Sequence, residues 1–188
     1  IDDNGKVYLI NNTYRVTDTG ITTTKELHNT LIDGEYIGCN NRNDFSSKGL
    51  YAAFDIYYYS GDKITSLPLI DNDQKINTRY KYLLKTVSQM KHNEYSMDYI
   101  VKEHLYNSDI LKDCEKILSG NKVYPYDIDG LIFTPAKLAL YSYYTNKAMQ
   151  ITDNVKWDRV FKWKPPEQNT IDFLAKQSIT TTIDGIKY

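Results

Sequence analysis

Two lysines one residue apart flank a tryptophan in Val160-Phe161-Lys162-Trp163-Lys164-Pro165-Pro166. Successive side chains of a strand point to opposite faces, so Lys162 and Lys164 share one face, and Phe161 and Trp163 the other. This pattern predicts an aromatic face buried in the core and two ammonium groups emerging together. At roughly 7 Å they repel by about 2 kcal/mol at an effective dielectric near 20, and by about 0.6 kcal/mol in water. A bound polyphosphate turns that repulsion into attraction, so the pair suggests anion binding. Spacing alone fits a solvated edge strand equally well. The prolines cannot donate to a ladder, so the strand is expected to stop there.

A second constellation is Asp127-Ile128-Asp129-Gly130-Leu131-Ile132-Phe133-Thr134-Pro135. Alternation sets Asp129, Leu131 and Phe133 on one face, and Ile128 and Ile132 on the other. A carboxylate at the mouth of a strand, beside a glycine that permits close backbone approach, suits a divalent cation bridging phosphates. An Asp-Gly turn entering a core strand has the same composition. Asp33-Gly34-Glu35 is by itself a plain turn sequence, and Phe54, in a strand-like run, fits the core.

The elements that must position these residues are legible in outline. Lys6–Ile10 and Tyr14–Val16 read as a hairpin across an Asn11-Asn12 turn. Thr30–Ile37 and Gly49–Tyr59 are strand-like, separated by a polar loop from Asn40 to Lys48, which suggests antiparallel pairing. Asn77 is placed to cap a helix with Leu83, Leu84, Val87 and Met90 along its apolar side. Ser108-Asp109 starts a second helix, with Ile110, Leu111, Cys114, Ile117 and Leu118 on one side and Gly120 at its end. Tyr99–Lys102 has strand composition, as do Asp129–Thr134, Leu138–Tyr144 and Arg159–Lys164. Strands at both ends and helices in the centre argue for an α+β domain over residues 1–188.

Composition bounds the function. With 23 basic and 24 acidic residues, net charge −1, nucleic-acid contact needs a local patch, not a global field. The 18 tyrosines fit half-buried strands. Cys39 and Cys114 lie far apart, and His28, His92 and His104 form no ligand-spaced pair, which argues against a disulfide scaffold or a zinc site. No signal peptide is visible, and no apolar run nears the roughly 18–20 residues of a membrane span.

Phe161-Lys162-Trp163-Lys164-Pro165-Pro166-Glu167-Gln168-Asn169-Thr170-Ile171-Asp172-Phe173 resembles the fifth motif of mRNA guanylyltransferases (capping enzymes), most closely those of large DNA viruses. Asp129-Gly130-Leu131-Ile132-Phe133-Thr134-Pro135 resembles the fourth motif, Leu31–Ile37 the third, and Leu50–Ile56 the one after it. The four stand in the family's order and span the chain from about Lys6 to Phe173. The resemblance implies a nucleotidyltransferase domain of mostly antiparallel sheets with flanking helices, related to ATP-dependent ligases. It assigns Lys162 and Lys164 to the nucleotide phosphates, Asp129 to metal and phosphate geometry, and Glu35 to the ribose and the metal. Phe54 takes the base by stacking, a contact worth about 1–3 kcal/mol in single-strand binders. Lys102 sits where relatives place a basic residue reaching the nucleotide, and Arg15 where an arginine can contact the ribose.

The family's nucleophile is the lysine of a Lys-x-Asp-Gly motif, and no such motif occurs in the chain; Asp184-Gly185 lacks the lysine. The resemblance therefore implies a fragment that starts after that motif, stops at or before an oligonucleotide-binding-fold domain, and is inactive alone. The implied reaction transfers GMP from GTP, through lysyl-GMP and with Mg2+ or Mn2+, to the 5′-diphosphate end of nascent mRNA. Fused or associated RNA triphosphatase and methyltransferase domains, and an intracellular site (host cytoplasm or virion), follow from the same resemblance. An ATP-dependent polynucleotide ligase is the nearest alternative. Ligases usually carry Glu-Gly in the fourth motif and lack the Pro-Pro-x-x-Asn-Thr-Ile-Asp tail. A catalytically inactive nucleotide-binding homologue is the other.

Overall fold

The computed structural model describes residues 1–38, 49–90, 97–106, 109–120, 122–140, 157–170, 182–183 and 186–187. The predicted Asn40–Lys48 loop, Cys39, His92, Ser108, Tyr141–Tyr144, and Ile171–Phe173 of the fifth-motif string lie outside them. The described residues form mostly antiparallel strands with two α-helices. No helix among the described residues is long and apolar enough to cross a membrane.

The expected hairpin forms from β1 (Lys6–Ile10) and β2 (Val16–Thr22). Its turn is held by the Asn11 side chain, whose Oδ1 accepts from the backbone of Thr13 at 3.0 Å and of Arg15 at 2.9 Å. This is the local hydrogen bonding that favours asparagine in turns. The central sheet is built on β4 (Leu50–Tyr59), paired antiparallel along one edge with β3 (Leu31–Ile37). On its other edge, β5 (Asp62–Lys63) takes the far end antiparallel, and β6 (Asp98–Val101) takes the near end in parallel. That parallel pairing needs a crossover, which α1 (Arg79–Gln89) supplies between β5 and β6.

The register of β3 on β4 is irregular. Gly34 lies opposite Ala53 but Asp33 opposite Asp55, and Ile32 opposite Ile56 but Leu31 opposite Tyr58. β4 therefore carries two extra residues, Phe54 and Tyr57, each a β-bulge.

The first helix is capped by Thr78, not by the expected Asn77; Thr78 is extended, and its hydroxyl accepts from Lys81 N at 3.2 Å. Leu83 is fully buried, whereas Leu84 is exposed because only one of two adjacent helical residues can face the sheet. The second helix, α2 (Ile110–Leu118), is capped by Asp109 and followed by Gly120 at φ +69, as the sequence predicts. Its apolar side does not enter a core: no α2 residue is buried, and Ile110, Leu111 and Leu118 are exposed. The expected strand from Leu138 is absent from 138–140, which form bends and a turn. The last strands are β7 (Leu131–Phe133) with β8 (Phe161–Trp163), and β9 (Thr182–Ile183) with β10 (Ile186–Lys187), each pair antiparallel.

Two buried clusters hold these parts. Val7, Ile21, Leu27, Met90, Met97 and Tyr99 tie the hairpin to the end of α1 and to β6. Ala53, Ile56, Ile64 and Leu83 fill the space between β4 and α1. Within this layer sits a buried ion pair. Arg79, 0% exposed, donates from Nε to Asp55 Oδ1 at 2.8 Å and from Nη2 to Oδ2 at 3.0 Å, while Nη1 donates to Leu67 O at 2.6 Å. The fork satisfies both carboxylate oxygens at once.

Breaking such a buried pair from one side strands a charge and costs about 3–5 kcal/mol, whereas apolar replacement of both partners is often near neutral. Arg79→Leu and Asp55→Leu are each expected to lose that much in urea unfolding. The double variant should recover most of it; additive losses would contradict the pairing.

Candidate functional site

Glu35 lies on β3 opposite Ala52, and Lys102 follows directly on β6, with its backbone N–H donating to Ala53 O at 2.7 Å. The two side chains meet across β4: Lys102 Nζ is 2.6 Å from Glu35 Oε2. The same ammonium stands 5.1 Å from the centroid of the Tyr126 ring, a cation–π contact between residues 24 positions apart that no local pattern marks.

The second pair comes from the β7–β8 ribbon. Lys164, one residue past β8, places Nζ 2.6 Å from Asp129 Oδ2. That ammonium holds the Asp129 carboxyl below the usual aspartate range, and Lys102 acts on it in the same direction. The two ion pairs are thus within electrostatic reach of one another. Burial, then Tyr124, Glu103 and Glu35, push the Tyr126 hydroxyl up. Lys102 thus touches Glu35 and Tyr126, and its charge acts on the carboxyl that Lys164 holds.

Gly130 makes the second pair possible. At φ +151 it occupies backbone space closed to side chains, and a Cβ there would stand 2.2 Å from Trp163 O and 3.2 Å from Lys164 Cα. The close approach anticipated for a ligand is made by the lysine-bearing strand itself.

The ribbon corrects one expectation. Leu131 pairs with Trp163, Phe133 with Phe161, and Ile132 with Lys162, so the predicted alternation holds. Yet Phe161 is 65% exposed and Trp163 43%, so the aromatic face is not a core face. Among the described residues, β7 and β8 pair only with each other. Lys162 is exposed and has no ion-pair partner among the described residues.

Arg15 stands elsewhere. It is exposed, one residue before β2 and next to Tyr14, whose φ is +60. It lines a cavity of ≈ 1330 Å³ between the β1–β2 hairpin and β3, together with Asp33, Glu35, Tyr51 and Tyr99. Glu35 is the one predicted site residue that Arg15 shares this cavity with; Phe54, Lys102, Asp129, Lys162 and Lys164 do not line it. Asp33 accepts a short hydrogen bond from the Tyr57 hydroxyl. Burial pushes its carboxyl above the ordinary value of 3.8 despite that bond, and Asp55 opposite adds to the rise. Burial and nearby charge drive the Tyr51 hydroxyl up as well, and burial takes that of Tyr99 to about 12.

Phe54 is the half-exposed residue of the first β4 bulge, flanked by Ala53 and the buried Asp55. Its carbonyl is taken by His104 Nε2 at 2.9 Å, a contact absent from any local sequence pattern. No group of three or more His, Cys, Asp or Glu residues among those described could hold a metal by itself. Mg2+ ordinarily takes one or two carboxylates and completes its shell with water and substrate phosphates, and Asp129, ionised and exposed, fits that part.

Two predictions follow from this geometry. Gly130→Ala should lower the urea midpoint by an amount equivalent to about 1–3 kcal/mol or more, because both φ and Cβ are excluded; an unchanged midpoint would contradict the packing. Asp33→Asn tests burial. Asp33 binds its proton more tightly in the folded chain, so its contribution is favourable below 3.8 and lost as pH rises through the folded-state value. Stability of the variant relative to the parent should therefore improve between about pH 3 and pH 7, and a pH-independent difference would refute the argument.

No protein-family model matches the chain. It is 28% identical over 196 residues to a probable mRNA-capping enzyme of Acanthamoeba polyphaga mimivirus, across 81% of this chain and 16% of that protein. It is 27% identical over 161 residues to the mRNA-capping enzymes of African swine fever virus isolates Tick/South Africa/Pretoriuskop Pr4/1996 and Warthog/Namibia/Wart80/1980, across 84% of this chain and 15% of each. The chain thus spans about a sixth of the length of these relatives, and over most of its own length it is similar to viral mRNA-capping enzymes.

Proposed function

We propose that the chain forms the phosphate- and base-binding part of an mRNA 5′-cap guanylyltransferase with a covalent nucleotidyltransferase domain. The observation that carries the reading is the convergence of Glu35–Lys102 and Asp129–Lys164 from four separate stretches of sequence. Each lysine is neutralised by a carboxylate. An incoming triphosphate offers both ammonium groups a stronger partner, and releases both carboxylates.

On this reading Lys164 and Lys102 turn to the phosphates of GTP, and Lys162, exposed on the ribbon, joins them. Their charges offset what develops as the α–β phosphate bond breaks and pyrophosphate leaves. Asp129 and Glu35, freed of their lysines, would hold Mg2+ or Mn2+, which supplies Lewis-acid polarisation of the phosphates when bound. Phe54 stacks on the guanine, and Arg15 contacts the ribose from the hairpin side. On this reading the attacking amine is that of a Lys-x-Asp-Gly lysine, a motif these 188 residues do not contain. It forms lysyl-GMP with loss of a proton, and the terminal phosphate of 5′-diphosphate RNA then displaces the lysine and takes the GMP. RNA triphosphatase and methyltransferase activities in the same protein, and action in the host cytoplasm or the virion, belong to this proposal.

Incubating the complete polypeptide with α-labelled GTP and Mg2+ should give a labelled protein that passes GMP to diphosphate-ended RNA. Lys164→Ala should slow labelling by a factor on the order of 10²–10³, the usual effect of losing one charge-stabilising donor. Labelling by ATP alone would replace this reading with polynucleotide ligation, and no labelling by either nucleotide would leave a binding module.

A further inference from the structure

The bulge at Phe54 sets up an uncommon hydrogen-bond arrangement. Successive carbonyls of a regular strand point to opposite edges. Here Ala53 O and Phe54 O both turn to the segment that follows β6: the first accepts from Lys102 N at 2.7 Å and the second from His104 Nε2 at 2.9 Å. The strand partner ends at Val101, so the imidazole replaces a ladder donor and satisfies a carbonyl that the extra residue has pushed out of register. A half-buried carbonyl left without a donor carries the full desolvation penalty of the group.

The ring is itself fixed. It meets the edge of Tyr80, on α1, with centroids 5.0 Å apart and planes at 86°. Burial holds it below the usual imidazole range, partly opposed by the Phe54 hydrogen bond, so near pH 7 the ring is neutral. A carbonyl can only accept, so the single ring proton sits on Nε2. Two residues upstream, the side chain of Lys102 is committed to Glu35. One short segment thus serves the phosphate side of the site through Lys102, and the Phe54 backbone through His104.

We infer that His104 is a positioning residue for Phe54, its Nε2–H locking the bulge that presents the phenyl ring to the nucleotide base. The inference rests on the nucleotide-binding reading above, and assigns His104 to the base-dependent part of affinity. The phosphate-dependent part is left to the lysines.

The test measures dissociation constants of the complete protein, by calorimetry, for the magnesium complexes of GTP and of inorganic tripolyphosphate, which has no base. His104→Phe keeps a ring against Tyr80 but removes the donor. It should weaken GTP binding roughly ten-fold, in line with one unpaired carbonyl, and leave tripolyphosphate binding unchanged. His104→Gln, whose amide nitrogen can stand in for Nε2, should restore GTP binding to near the parent value. In a Phe54→Ala background, His104→Phe should cause no further loss. Tyr80→Leu, which loosens the ring and spares the donor, should give a smaller loss in the same direction and keeps the test decisive should His104→Phe not fold.

Equal weakening of GTP and tripolyphosphate, or additive losses with Phe54→Ala, would overturn this inference alone. A parent protein that binds GTP no more tightly than tripolyphosphate would overturn the nucleotide reading, and this inference with it.

Discussion

The Arg79–Asp55 pair is the constraint from which the rest of the geometry follows. Asp55 belongs to the strand with three partners, and Arg79 opens the helix that crosses from one of them to another. A fully desolvated guanidinium tolerates one orientation only, because its fork must meet both carboxylate oxygens and the Leu67 carbonyl. The helix N-terminus also disfavours a cation, so Arg79 depends on Asp55 for its charge balance. The pair thereby fixes where α1 sits on β4, and so where β6, Lys102 and His104 emerge beside the bulge.

Around that frame, opposite charges are stored in contact. Glu35–Lys102 and Asp129–Lys164 are exposed to partly exposed pairs, so neither adds much to folding. Their worth is in holding long side chains at set places. The Tyr126 ring meets the Lys102 ammonium, and Gly130 lets the Lys164 backbone come close.

What the sequence made legible was local. The β1–β2 turn, the alternation along β7 and β8, and the Gly120 stop are properties of neighbours in the chain; Glu35, Asp129 and Lys164 were singled out through the motif resemblance, and the structure sets them in ion pairs. What it concealed depends on register and packing. Phe54 and Tyr57 look like ordinary strand residues until the count on β3 shows them to be extra. Arg79 reads as a solvated helix-start cation, and His104 as an isolated histidine, because their partners lie 24 and 50 positions away. The aromatic face of the ribbon reads as a core face, and α2 shows an apolar side, because periodicity reports which residues share a face. It does not report whether anything lies upon that face.

The β4 bulge has a further consequence for how this sheet tolerates length changes. Ala52 and Asp55 are three positions apart, an odd interval, yet they face Glu35 and Asp33, which are two apart, an even one. The extra residue accounts for the difference in parity. Deleting Phe54 would make both intervals even, so the ladder could close without a bulge and keep Ala52 opposite Glu35 and Asp55 opposite Asp33. What would go with the ring is the carbonyl that the bulge turns to His104. The register of β3 on β4 tolerates the shorter count, but the link from β4 to the segment after β6 depends on the extra residue.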